Sequence, residues 1–205
     1  MVTPGVPPIP HVGGPVLPPG CPTVLVASRL RVQPTCASFR ELPALATGFE
    51  KLTVRPDLVI CDGQGIAHPR RFGLACHLGL IYGLAVIGCA KTCLVGEASE
   101  PGFTRGSFTQ LVTEGETAGV ALRTRDGVKP LYVSPGHLIS LRTAGHWILA
   151  LSSRHRIPEP TRMADQQANK MKRGDSGFSR STKIVSRIRL QDSGRTFVDC
   201  GSSLS

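Results

Sequence analysis

Residues 58–71 read LVICDGQGIAHPRR, and this stretch decides how the chain folds. Four apolar residues in succession predict a short buried strand. The strand ends at Asp62, which it delivers to the carboxyl edge where open α/β sheets carry their chemistry. The glycines that follow let another backbone or a phosphate come close. A carboxylate there, with His68, Arg70 and Arg71 nearby, is typical of a metal ion site that handles a phosphodiester.

The neighbouring segments extend this strand into a parallel βαβ unit. Apolar residues from Leu74 to Tyr82 follow helical spacing, and Ala85–Cys89 is a second apolar run. A strand, a helix and a strand at this length predict parallel pairing and an α/β fold. The remaining predictions are a strand over 23–32, a helix over 42–52, a variable loop over 95–117, a hairpin of strands 118–125 and 129–137 turning at Asp126-Gly127, and a helix over 138–151.

The composition divides the chain into three parts. Residues 1–22 contain eight prolines and repeated glycine, so we expect an extended, disordered segment. Residues 23–170 are expected to form one domain, because 205 residues suit a single core. From Asp165 onward order is expected to fade, and residues 171–205 are predicted to be a basic, flexible tail.

The charge balance favours polyanionic partners. The formal net charge is +10 and the pI is near 9.8, and a basic surface of this kind commonly binds nucleic acid. A solvated basic tail explains half of the excess, since residues 166–205 hold eight Lys or Arg against three Asp or Glu. The rest of the excess is spread through the body of the chain.

The cysteines and the apolar runs indicate a cytoplasmic protein without a membrane span. The seven cysteines are scattered, lack a Cys-x-x-Cys pair, and fit reduced thiols better than a zinc site. No apolar run reaches the ~18 residues of a membrane span, and the N-terminus lacks the features of a signal peptide. Nothing in the sequence indicates an oligomer, so a monomer is expected.

Five ordered blocks of sequence carry a resemblance to a known family. One is Pro56–Gly73, and the others are Ser38-Phe39-Arg40-Glu41, Ile87-Gly88-Cys89-Ala90-Lys91, Val133-Ser134-Pro135-Gly136-His137 and Arg156–Asp165. In order and spacing they resemble the endonuclease V family, over roughly residues 38–170. That family contains repair nucleases that act on deoxyinosine in DNA and, in some members, on inosine in RNA.

The resemblance implies a ribonuclease-H-like fold, a mixed sheet flanked by helices, with its N-terminal strands incomplete here. It implies that Mg2+, or Mn2+ in its place, supports hydrolysis of the second phosphodiester bond 3′ to the deaminated base. Asp62 and Glu41 would be metal-binding carboxylates, while Lys91 and His137 would lie beside the scissile phosphate. The substrate contacts that it implies are Pro34, Gly63, His68, Arg70, Arg71 and Gly136.

The sequence departs from the family near its N-terminus. Residues 1–40 contain no Asp or Glu, so the family's first metal-binding aspartate has no counterpart. Where the family has Pro-Tyr-Ile-Pro-Gly, this chain has Arg31-Val32-Gln33-Pro34-Thr35, which lacks the aromatic wedge. A truncated or misassigned N-terminus and a degenerate paralogue both explain these losses. Either one predicts weak or absent nicking of deoxyinosine DNA.

Other interpretations stay open for the residues and for the whole chain. Asp62 could cap a turn, Glu41 could be a first-turn helix acid, His137 a structural histidine and Lys91 a surface lysine. The chain could be a non-catalytic nucleic-acid-binding module that recognises deaminated bases through its loops and basic surface. It could also fail to fold alone, because a mixed sheet without its first strands exposes an unpaired edge.

Overall fold

The described elements are seven strands and three helices. The computed structural model describes residues 23–27, 45–46, 48–50, 52, 55–172 and 186–187. Its elements are β1 (Thr23–Ala27), β2 (Leu58–Cys61), α1 (Leu74–Tyr82), β3 (Ala85–Ala90), β4 (Phe108–Thr113), β5 (Glu116–Leu122), β6 (Leu131–His137), α2 (Leu141–Leu151), α3 (Glu159–Lys172) and β7 (Ser186–Arg187). Residues 45–46 and 48–50 are helical, within the helix predicted over 42–52.

The strands form one mixed sheet in the order β4-β5-β6-β3-β2-β1-β7. Strands β1, β2 and β3 are mutually parallel, and α1 connects β2 to β3 as predicted. The other pairs are antiparallel. Strand β2 is paired on both sides, so the strand that carries the key stretch is not an exposed edge. The predicted α/β class, a mixed sheet flanked by helices, is confirmed.

Helices cover both faces of the sheet, which explains the uninterrupted apolar runs of its parallel strands. Beneath α2 lies a buried cluster that includes Leu58, Ile60, Ile87, Trp147 and Ile148. Beneath α1 lies a second cluster that includes Val59, Cys61, Val86, Leu74 and Leu78. Side chains alternate between the two clusters along β2, as the two-residue period of a strand requires.

The glycine-rich loop after β2, residues 62–73, folds back over the sheet. A Cβ on Gly88 of β3 would lie 2.3 Å from the backbone nitrogen of Gly65, and a Cβ on Gly65 would lie 2.1 Å from the carbonyl oxygen of Pro135. The nitrogen of Ile66 donates to that same carbonyl at 2.9 Å. The close approach predicted at these glycines is therefore an approach of backbone to backbone.

Two local predictions are wrong. Residues 95–117 are not all loop, because β4 occupies part of that segment and pairs antiparallel with β5. Order does not fade at Asp165, because α3 continues from Glu159 to Lys172 and contacts β1. The predicted segment 1–22 and residues 173–185 and 188–205 of the predicted tail lie outside the described residues.

Candidate active site

The candidate active site lies where two neighbouring parallel strands end. Strand β2 ends at Cys61 and is followed by Asp62, while β3 ends at Ala90 and is followed by Lys91. Cys61 pairs with Gly88 in register, so both strands run to the same edge of the sheet. This is the carboxyl edge at which open α/β sheets place their functional groups.

Lys91 joins two carboxylates at this edge. Its Nζ lies 3.0 Å from Oδ2 of Asp62 and 3.0 Å from Oδ2 of Asp165, so the two oxygens lie within twice that distance of each other. The Asp62 side chain is 15% exposed, whereas those of Asp165 and Lys91 are 32% and 37% exposed. The site is therefore open to a ligand from solvent, with Asp62 at its base.

The charge of Lys91 is maintained by its partners. Burial lowers the pKa of the ammonium group, but the hydrogen bonds and negative charges of Asp62 and Asp165 outweigh burial and raise the pKa above its ordinary value. Lys91 is therefore a permanent cation at neutral pH. It can attract and hydrogen-bond an anionic oxygen, and it cannot accept a proton there.

Asp165 is the member of this group that the sequence did not single out. It lies in α3, which packs beside β1, and it reaches Lys91 across the end of the sheet. A signal was available, because Asp165 closes the block Arg156–Asp165 that resembles the family. No local spacing connects Asp165 with Asp62, so only the packing of α3 reveals their proximity.

Two side chains hold the backbone that carries Lys91. Arg156 donates from Nη2 to the carbonyl oxygens of Lys91 at 3.1 Å and Pro130 at 2.8 Å, and from Nε to that of Lys129 at 2.7 Å. Gln64, which is 4% exposed, donates from Nε2 to the carbonyl of Thr92 at 3.3 Å. These bonds fix the start of the loop after β3.

A buried thiol lies beneath the site. Cys89 is 3% exposed and belongs to the cluster under α2. Burial, reinforced by the negative charge of Asp62, raises the pKa of this thiol to about 12. Cys89 is therefore neutral at physiological pH and is not a metal ligand or a nucleophile in this conformation.

The donor set at this edge suits a hard divalent cation. Among the described residues, no group of three or more His, Cys, Asp or Glu is placed to hold a metal ion. Asp62 and Asp165 nevertheless supply two neighbouring carboxylates, and Mg2+ in proteins is commonly bound through one or two carboxylates together with waters and substrate phosphate. The residues present thus fit Mg2+ better than zinc, whose protein sites are built mainly from Cys and His.

The structure does not bring His137 to this site. His137 pairs with Val86 at the amino end of β3, whereas Lys91 follows the other end of that strand. The separation is roughly 16 Å along the strand. A Cβ on Gly79 of α1 would lie 2.2 Å from that of His137, so His137 packs beneath α1. This geometry does not support the expectation that His137 and Lys91 both lie beside the scissile phosphate, because β6 runs antiparallel to β3 and ends at the amino end of β3.

The other predicted contact residues occupy the loop 62–73 and the strand beneath it. Arg70 is exposed, while Arg71 forms an ion pair with Glu116 at the start of β5, with 2.9 Å between nitrogen and oxygen. Nδ1 of His68 accepts a hydrogen bond from the backbone of Arg70 at 3.3 Å. Arg71 is therefore directed to β5, and the expectation that it contacts phosphate is not supported by its geometry.

The two glycines predicted as substrate contacts, Gly63 and Gly136, both make contacts within the protein. Gly63 is buried, and its nitrogen donates to the carbonyl of Cys61 at 2.9 Å. A Cβ on Gly136 would lie 2.7 Å from that of Ala75, which shows that Gly136 lets β6 approach α1. The predicted residues Glu41 and Pro34 lie outside the described residues.

Within the described part of the chain, no helix combines the length and apolar character that crossing a bilayer requires.

The chain is similar to proteins of one known family. The family model described as Endonuclease V matches residues 23–166. An endonuclease V of Myxococcus xanthus is 55% identical over 142 residues, which cover 69% of this chain and 60% of that relative. The chain thus spans about three fifths of the length of that curated relative.

Solved structures show the same likeness. An endonuclease V of Streptomyces avermitilis matches with a TM-score of 0.66 and 43% identity, over 71% of this chain and 64% of that one. An endonuclease V of Ciona intestinalis, solved with a 23mer DNA that contains an inosine followed by a ribo-adenosine, matches with a TM-score of 0.61 and 27% identity, over 72% and 69% of the two chains.

Proposed function

This chain belongs to the endonuclease V family, and from that membership we propose that it is a nuclease that hydrolyses a phosphodiester bond beside a deaminated base. The ribonuclease-H-like sheet of the family is present in the described residues. The observation that carries the proposal is the placement of Lys91 at 3.0 Å from both Asp62 and Asp165 at the carboxyl edge of that sheet.

We propose that Asp62 and Asp165 hold Mg2+, with Mn2+ able to replace it. Glu41 is proposed as a further carboxylate of the site on the strength of the family resemblance alone. A bound cation would supply an activated water and neutralise charge on the phosphate. Lys91 contributes a positive charge that stabilises the departing oxygen and orients the phosphate. His137 is left out of the proposed catalytic group because it lies near the other end of β3.

The proposed substrate is DNA that contains deoxyinosine, cleaved at the second phosphodiester bond on the 3′ side, with inosine in RNA as the related substrate. The Ciona relative was solved with inosine-containing DNA, which supports this substrate class. We further propose that turnover by this chain is slow, because residues 1–40 offer no acid to complete the set of metal ligands. A monomer in the cytoplasm remains our proposal for its state and location.

A second candidate function is recognition of a deaminated base without cleavage. It is favoured by the short carboxylate set, since the described residues contain two carboxylates next to Lys91 and no third metal-binding group. Such a protein would bind inosine-containing strands through its basic surface in a salt-dependent way.

A nicking assay separates the two functions. End-labelled strands with one deoxyinosine, or one riboinosine, are incubated with Mg2+, Mn2+ or a chelator. Asp62→Asn and Asp165→Asn should each reduce the single-turnover rate by at least about 100-fold. Glu114→Gln, at an exposed carboxylate in the turn between β4 and β5, should leave the rate unchanged. Metal-independent nicking, or full activity of both site variants, would contradict the proposed nuclease site. Binding without any nick would select the second function.

A further inference from the structure

The loops next to the active site carry cations that its chemistry does not use. Arg125 and Lys129 lie in the connection between β5 and β6, and Arg154 lies between α2 and α3; all three are exposed. Tyr132 near the start of β6 pairs with Ala90 at the end of β3, so the β5–β6 connection lies at the same sheet edge as Lys91. Arg125 and Lys129 therefore flank the site.

Arg156 fixes the three positions relative to one another. Its side chain donates to the carbonyls of Lys91 and Lys129, and its own carbonyl accepts from Oγ1 of Thr124 at 2.6 Å. Arg125 is the residue after Thr124, and Arg154 is two residues before Arg156. One arginine thus joins the backbone of Lys91 to the segments that present all three cations.

Two acidic residues close in sequence to these cations, Asp126 and Glu159, are already engaged. Oδ1 of Asp126 accepts a hydrogen bond from the backbone nitrogen of Arg105 at 2.5 Å. Glu159 pairs with Arg162 at 2.8 Å and lies 3.4 Å from Nε2 of His155. Among the described residues, the structure shows no ion pair of Arg125, Lys129 or Arg154. An external anion can therefore approach these three side chains directly.

We propose that Arg125, Lys129 and Arg154, here called the basic track, bind backbone phosphates of the nucleic acid strand on either side of the bond that is cleaved. This inference rests on the proposed function and adds to it the surface that holds the strand. Cations on neighbouring loops can contact successive phosphates of one strand. Such phosphate contacts position a strand and carry no base information. The track should therefore act alike on strands with and without a deaminated base.

The test is the salt dependence of binding by the full chain. Fluorescence anisotropy follows a labelled duplex with one deoxyinosine in chelator, so that binding is read without cleavage, over a series of salt concentrations. Arg125→Gln, Lys129→Gln and Arg154→Gln should each make the slope of log Kobs against log salt shallower by about 0.9, and the triple variant by about 2.7. The same change should appear on a duplex with deoxyguanosine in place of deoxyinosine.

Two controls make the result specific to the track. Arg142→Gln removes an exposed arginine from the first turn of α2, which follows β6 at the opposite edge of the sheet, and should keep the wild-type slope. Lys129→Arg preserves the charge and should also keep that slope. Circular dichroism melting confirms that each variant is folded.

The outcomes separate this inference from the proposed function. A triple variant with the wild-type slope, or an Arg142→Gln variant that loses as much slope as a track variant, overturns the basic track while nuclease activity can still stand. Wild-type protein that nicks but shows no salt-dependent binding overturns the track alone. Wild-type protein that neither binds nor nicks overturns both the track and the proposed function.

Discussion

Lys91 lies between two carboxylates, and the position of its ammonium group depends on the loop that follows β3. Arg156 donates to the carbonyl oxygen of Lys91 and also to those of Lys129 and Pro130 just before β6, so it ties the start of that loop to the β5–β6 connection. A guanidinium group can reach several acceptors because its donors are spread over a rigid plane, whereas the ammonium group of lysine is compact. Arg156 is thus a positioning residue for Lys91.

Replacement of Arg156 by lysine should therefore impair turnover and leave binding almost intact. Arg156→Lys keeps the positive charge, so KM should change little, while displacement of Lys91 should lower kcat on the order of 100-fold. Steady-state nicking over a range of DNA concentrations measures both quantities. Arg142→Lys, at an exposed arginine of α2, is the matched control and should behave as wild type. A loss confined to KM would show that Arg156 contacts the substrate instead.

Cys89 gives the fold a pH dependence in alkali. Its pKa is raised from 9.0 to about 12 in the folded chain by burial and by Asp62. Between these values the unfolded chain releases the thiol proton and the folded chain keeps it, so the free energy of unfolding falls as pH rises. The stabilisation by the neutral thiol is complete below 9.0 and is lost as pH rises toward 12.

In Cys89→Ala this decline should be absent. The wild-type free energy of unfolding should fall relative to that of the variant by up to about 1.4 kcal/mol per pH unit across that window. Urea unfolding in chelator at several pH values measures the difference. Val86→Ala, a substitution at a buried residue of the same strand, removes no titratable group and should differ from wild type by a constant amount. A constant difference for Cys89→Ala as well would show that the thiol ionises freely in the folded state.

Among the elements, the unit from β2 to β3 shows how local pattern and tertiary contact combine. Its strands and helix follow from apolar spacing, and Gly83, with φ of 59°, ends α1 as a left-handed cap. Two other elements were missed for identifiable reasons. Strand β4 is only partly buried, and α3 is polar, so neither has a clear apolar period. Pairing with β5 and packing against β1 stabilise them.

The loop 62–73 depends on the absence of a side chain at position 88 of β3. In Gly88→Ala the new Cβ would lie 2.3 Å from the nitrogen of Gly65 and 2.7 Å from the carbonyl carbon of Gln64. The loop must move, so we expect the free energy of unfolding to fall by about 1–3 kcal/mol and nicking to fall with it as Asp62 is displaced.

Gly48→Ala is the matched control for this change. A Cβ at that helical position meets no atom within 4 Å, so stability should be unchanged or slightly higher. Thermal melting, with the nicking rate measured on the same preparations, compares the two variants. Equal melting temperatures for Gly88→Ala and wild type would show that the loop does not rest on β3 in solution.

At the scale of the whole molecule, the positive charge and the proposed metal site are distributed differently. Half of the formal net charge of +10 lies in residues 166–205 and the rest is distributed through the body of the chain, whereas the proposed metal site is confined to one edge of the sheet. Long-range attraction of a polyanion therefore needs no metal, because Lys and Arg side chains supply it. In the proposed function hydrolysis does need a metal ion, because Lys91 is protonated and cannot act as the base that activates a water.

Removal of divalent cations should therefore abolish nicking and preserve binding. In a chelator, the wild-type protein should bind a deoxyinosine duplex with an affinity within a few-fold of that of the Asp62→Asn protein in Mg2+. Both affinities are measured at the same ionic strength. Anisotropy and gel-based nicking on one preparation measure the two properties together. Loss of binding in the chelator, with recovery on addition of Mg2+, would mean that the cation is part of the binding surface rather than of the chemistry alone.

The sequence by itself determined the α/β class, the parallel βαβ unit and the position of Asp62 at the end of a buried strand. These features depend on apolar period, on strand length and on the residue that follows a strand, all of which are local in the chain. The family resemblance rested on local blocks in the same way. It implied, from the motif, that Lys91 lies beside the scissile phosphate.

Only the tertiary structure decided which side chains meet. It brought Asp165 to Lys91 through the packing of α3, placed His137 at the far end of β3 because β6 runs antiparallel, and paired Arg71 with Glu116. The physical reason is that contacts between distant segments depend on strand direction, register and helix docking. These are set by the packing of the whole sheet and its helices, and no spacing within one segment contains them.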